Sequence, residues 1–84
     1  MRFEYAPEAR AILAEHGLQP GPDTRPEVVR EGLSDLYRYE IRRLKRRLLD
    51  GAFPKDEYIG RVIELRKHYW LLSVPVGRWV REMR

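Results

Sequence analysis

The chain has 84 residues, with 17 Lys and Arg against 13 Asp and Glu, a net charge of +4, 43% hydrophobic residues and no cysteine. A single domain over 1–84 is expected, with a thin core, because a chain of this size buries only about 60–65% of its unfolded surface. The apolar fraction excludes a disordered chain, and the absence of cysteine excludes a disulfide framework, a zinc knuckle and a thiol nucleophile.

Met1-Arg2-Phe3-Glu4-Tyr5 carries an early charge but no apolar stretch, so no signal peptide is expected. No run approaches the roughly 18 apolar residues of a membrane span. A cytoplasmic protein without a membrane partner is the expectation. Charge is uneven: positions 1–37 hold four basic and seven acidic residues, positions 38–84 thirteen basic and six acidic. Such asymmetry hints at an oriented surface.

Residues 2–5 alternate weakly and could be extended. A short helix is predicted over Pro7–His16, with Pro7 in the first turn and Gly17 as its stop. Leu18–Asp23 is a connector, since Pro20-Gly21-Pro22 cannot continue a helix. Thr24-Arg25-Pro26-Glu27 reads as a capping box. The helix it opens runs to about Leu49 and ends at Asp50-Gly51. Val29, Leu33, Leu36, Tyr37, Ile41, Leu44 and Leu48 share one face of it. Its length of about 37 Å exceeds what a thin domain needs and points to a partner along part of it.

Gly51-Ala52-Phe53-Pro54 breaks that helix. A third helix is predicted from Lys55 to about Leu72, with Tyr58, Ile59, Val62, Ile63, Leu65, Tyr69, Trp70 and Leu72 on one broad face. Ser73-Val74-Pro75 ends it. Val76, Trp79, Val80 and Met83 recur at helical spacing, while the alternation of Val74 and Val76 permits a strand, so residues 74–83 stay open between the two. The expected fold class is all-α: a long antiparallel helical hairpin with a short N-terminal helix and a short C-terminal helix or tail. Across such a hairpin Leu48 faces Tyr58, Leu44 faces Val62 and Tyr37 faces Tyr69. At one level Glu40 meets Arg66, each inside an apolar arc. A structural ion pair between them would set register more than stability.

Within Tyr39–Arg66 a basic helix ends in Leu44, Leu48 and Leu49. Asp50-Gly51 and the apolar Phe53 follow, then Glu57-Tyr58 opens the next helix, with Val62 and Leu65 beyond. This third of the chain resembles the SHOCT type of short helical hairpin. Pro54 stands where that pattern has a polar cap, and both helices extend past the short module. The resemblance implies a small interaction module with roles in oligomerisation or nucleic-acid binding.

Six of the ten positions 38–47 are basic: Arg38, Arg42, Arg43, Lys45, Arg46 and Arg47. Arg38, Arg42, Lys45 and Arg46 form a stripe opposite the apolar face. It is either a solvated face or a candidate nucleic-acid contact, since the guanidinium fork suits phosphate oxygens. Asp35 can pair with Arg38. Trp70 and Trp79 are large for so small a core and are candidates for either core or subunit interface. Neither His16 nor His68 has neighbours at metal spacing, and Glu64 and His68 read as a side-chain pair, so no metal or other cofactor is expected. No glycine-rich phosphate loop or paired catalytic acids occur. A small helical domain has little room for even a ~300 Å³ ligand site. The expectation is a non-enzyme with no evident small-molecule substrate: an interaction module, as a homo-oligomer and most simply a dimer, or alternatively a nucleic-acid-binding protein.

Overall fold

The computed structural model describes residues 2–83. Proline opens the first two helices, where its missing N–H costs nothing: α1 spans Pro7–Glu15 and α2 spans Pro26–Leu49. Both stop by one device. Gly17 and Gly51 are left-handed, with φ of 76° and 77°. The N–H groups of Gly17 and Leu18 donate to the carbonyls of Ala14 and Leu13, and those of Gly51 and Ala52 to Leu48 and Arg47. Each set is a Schellman motif, satisfying carbonyls that a helix end otherwise leaves unpaired.

The protein is mostly helical, with a third helix α3 over Tyr58–His68. It departs from all-α at its ends. Strand β1 (Arg2–Tyr5) pairs antiparallel with β2 (Val80–Met83), setting Arg2 opposite Met83 and Tyr5 opposite Val80. The Ala6 N–H donates to the Trp79 carbonyl at 2.8 Å, adding one rung to this sheet. A 3₁₀ turn over Val76–Arg78 stands where a C-terminal helix was an option, and another over Trp70–Ser73 takes the place of the expected last turn of the third helix. Pro75 prevents helix continuation, and burial of Trp79 leaves residues 80–83 extended along β1. The expectation for the Met83 side chain lies outside the described residues.

The third helix is shorter than expected over 55–72. Lys55–Glu57 form a 3₁₀ turn, and α3 has 11 residues against 24 in α2. Tyr69 leaves helical geometry at φ −118° and ψ 27° as its ring joins the core. The capping box does not form. Arg25 is the N-cap and no side chain caps the helix, because Pro26 takes the first helical position. Thr24 instead closes the preceding turn: its hydroxyl accepts from the Gly21 N–H at 3.0 Å, and its carbonyl accepts from the Tyr5 hydroxyl at 2.7 Å.

One core is built from all the segments at one end of the molecule: Tyr5, Ala9, Leu13, Val29, Leu33, Tyr69, Leu71 and Trp79. Trp79 is 0% exposed, and its indole N–H donates to the Val74 carbonyl at 2.9 Å, which satisfies its one polar atom. Arg30 donates to the carbonyls of Leu72 and Val74 at 3.0 and 3.4 Å, tying α2 to the C-terminal segment. No residue of α2 beyond Leu33 and none of α3 is fully buried. The later half of α2 and α3 therefore project as an arm. The Cα radius of gyration is 15.3 Å and the extents are 53 × 17 × 16 Å, whereas a compact chain of this length has a radius of about 12 Å.

Candidate functional site

The arm consists of two helices with no third layer, so the seam between them is open on both sides. One side is polar. Glu40, Arg43 and Arg47 from α2 and Arg61, Glu64 and His68 from α3 line a cleft of about 450 Å³ floored by Leu44 and Leu65. The other side is apolar. Tyr37, Ile63, Trp70 and Leu72 line a groove of about 580 Å³, rimmed by Arg66 and Lys67. Ile59, Ile63 and Trp70 are 73%, 48% and 40% exposed. Both volumes exceed the ligand space expected of so small a helical domain, because the arm lacks the third layer that would fill its seams.

Tyr69 joins the arm to the core. Its ring stacks on His16, with centroids 4.1 Å apart, and meets Tyr37 at 5.1 Å, the level expected for Tyr37 and Tyr69. Its hydroxyl donates to Glu40. Burial, reinforced by the hydrogen bond to Glu40 and by that carboxylate's charge, pushes the Tyr69 hydroxyl well above its ordinary value. His16 Nε2 donates to the His68 carbonyl at 2.7 Å, so α1 caps the end of α3.

At the far end of the arm, Phe53 is buried although its surroundings are not. The Arg61 guanidinium lies 4.2 Å from its ring centroid and that of Arg47 5.9 Å, both within cation–π range. Phe53 is the only buried side chain of this end among the described residues, and two guanidiniums lie over its ring.

Arg38, Arg42, Lys45 and Arg46 are all exposed on α2, and Arg38 pairs with Asp35 at 3.0 Å. Arg46 and Arg47 fall in the last turn, where positive charge suits the helix C-terminus. The two tryptophans separate: Trp70 is on the surface, while Trp79 is wholly inside the core and is not an interface residue. The expected ion pair of Glu40 with Arg66 does not form. Glu40 faces the polar cleft and holds the Tyr69 hydroxyl, while Arg66 is exposed at the apolar groove. Glu64 pairs with Lys67 at 3.0 Å and not with His68.

Three features were not singled out from the sequence: the Arg43–Arg47–Arg61 side of the seam, the clamp on Phe53, and the Arg30 bridge. The first two had a signal in the i,i+4 spacing of Arg43 and Arg47 beside a lone apolar turn residue. The third had none, because its partners are distant carbonyls. Among the described residues no group of three or more His, Asp or Glu could hold a metal ion, and no helix is long and apolar enough to cross a membrane. No protein-family model, curated protein or solved structure matches the chain.

Proposed function

We propose that the protein is a small interaction module whose α2–α3 pair acts as a helical-hairpin docking element, and that it pairs with a second copy of itself along the apolar edge of that arm. The observation that carries this reading is the exposed line of Ile59, Ile63 and Trp70 beside the groove shared with Tyr37. Two-helix arms bury such an edge by pairing into four-helix bundles. The thin core of an 84-residue chain favours the same outcome. The SHOCT-like turn over residues 39–66 supports an interaction role, and no catalytic role forms part of this reading. Light scattering across micromolar concentrations is expected to give twice the 10.1 kDa chain mass. Ile63→Glu is expected to give a monomer with unchanged helicity. A wild-type monomer at every concentration overturns the reading.

A second reading is supported by the exposure of Arg38, Arg42, Lys45 and Arg46 on the outer face of α2, where among the described residues only Arg38 is held by an acid. In this reading the stripe contacts nucleic-acid phosphates. Binding of generic DNA or RNA should then fall steeply as salt rises from about 50 to 200 mM. It should also fall when the four residues are changed to Ala. Absence of binding at low salt removes this reading and leaves the first standing.

A further inference from the structure

We infer that the polar side of the arm seam is a phosphate-binding site, built by Arg43, Arg47 and Arg61 and separate from both surfaces described above. Three guanidiniums line one cleft of about 450 Å³. Among the described residues Arg43 and Arg47 belong to no ion pair, and Arg61 reaches only the exposed Glu57, at 3.4 Å. Arg43 and Arg47 lie one turn apart on the same helix face, where like charges repel. With Glu40 and Glu64 set against them, the three guanidiniums leave the cleft an excess of positive charge.

Two of these groups are held in place. The Phe53 ring lies beneath Arg61 at 4.2 Å and near Arg47 at 5.9 Å. Cation–π attraction to the ring draws the guanidinium toward it and leaves N–H donors for an oxygen ligand. Planar forks of this type pair with phosphate oxygens in bidentate fashion. The two carboxylates of the cleft are engaged: Glu40 accepts from Tyr69, and Glu64 pairs with Lys67 at 3.0 Å. A phosphate fits the Arg end better than a carboxylate does, because its larger set of acceptor oxygens can take more of the guanidinium donors. The shared chemistry is a phosphate group, from a free polyphosphate or from a nucleic-acid backbone.

The test is calorimetric titration of the full chain with inorganic pyrophosphate and, separately, with a short single-stranded oligonucleotide, at about 50 mM salt. Pyrophosphate is expected to bind with a Kd below about 1 mM. The double change Arg43→Gln with Arg47→Gln should weaken binding by about tenfold or more. Arg61→Lys, which keeps the charge but not the fork, should also weaken it. Glu64→Gln, which removes a negative charge from the cleft, should tighten it. All of these side chains are exposed, and circular dichroism of each variant checks that the helices persist. Binding of the oligonucleotide alone, lost with the Arg43 and Arg47 changes, supports the site with the polymer as its source. No binding of either probe overturns the inference. Binding that ignores Arg43 and Arg47 but is lost with Arg42→Gln and Lys45→Gln also overturns it, and assigns the phosphate to the outer stripe. The light-scattering result is independent of all these outcomes, so failure here is distinguishable from failure of the dimer reading.

Discussion

The two ends of the molecule use the same kinds of residue to opposite ends. At the core end, aromatic rings are enclosed and their polar atoms satisfied: Trp79 donates to Val74 and Tyr5 to the Thr24 carbonyl. On the arm side, Ile59, Ile63 and Trp70 stay in water, and the guanidiniums of Arg61 and Arg47 lie over the Phe53 ring. The core end is organised by contacts distant in sequence, the arm by neighbours across one turn. Buried contacts are thus concentrated at one end and exposed apolar surface at the other. A surface that serves no partner is not expected to keep three large apolar groups exposed in a line on one short segment.

The comparison breaks first if the core is not the seat of stability. Trp79→Ala should cost about 3–5 kcal/mol, a large share of what a domain of this size has, and abolish cooperative urea unfolding. Phe53→Ala should cost less, about 2 kcal/mol, with damage confined to the arm. Hydrogen exchange should then speed in α3 and stay slow in α1; equal acceleration in both would show that the two ends are not separable. Tyr69→Phe removes the hydrogen bond that joins them, for about 1–2 kcal/mol. It should also alter the alkaline limb. Because the folded state holds the Tyr69 proton more tightly than the ordinary value of 10.0, stability is full below that pH and falls as pH rises above it. The Phe variant should retain only the weaker dependence from Tyr5, whose hydroxyl is raised by burial and by Glu27. The smallest effect on unfolding should come from Ile63→Glu, within about 0.5 kcal/mol. Its consequence should appear in association alone.

What was legible in the sequence was local. Pro7, Pro26, Gly17 and Gly51 act within a single turn of chain, and the helix bounds they imply are those of α1 and α2. Helix periodicity also placed Tyr37 against Tyr69. Pairing across the whole chain left little local trace, so β1 appeared only as a weak alternation and residues 74–83 stayed open between helix and strand. Thr24 shows how a short pattern can mislead: the spacing of a capping box was present, but the preceding Pro-Gly-Pro turn claimed the hydroxyl.

The candidate site was legible in its residue types and misread in its sides. Levels along two helices say which residues meet at a given height, not which flank of the seam each occupies. Glu40 and Arg66 share a level and lie on opposite flanks. The stripe of Arg38, Arg42, Lys45 and Arg46 is exposed as its periodicity implies, while Arg43 and Arg47, outside it, line the cleft. Trp70 and Trp79 were indistinguishable by composition and are separated by the turn at Pro75, which directs Trp79 into the core.

The pairing of β1 with β2 has a kinetic consequence. Its strands come from the two extremities of the chain, so the sheet is the most non-local contact in the fold and carries the largest loop-closure entropy. The α2–α3 pair closes through a loop of a few residues and can form early. Folding should therefore begin in the arm, whose burial is the poorest, and finish at the sheet, where Ala6 and Trp79 are also joined. Tying β1 to β2 covalently would fix the contact that forms last, and should slow unfolding more than it raises the folding rate.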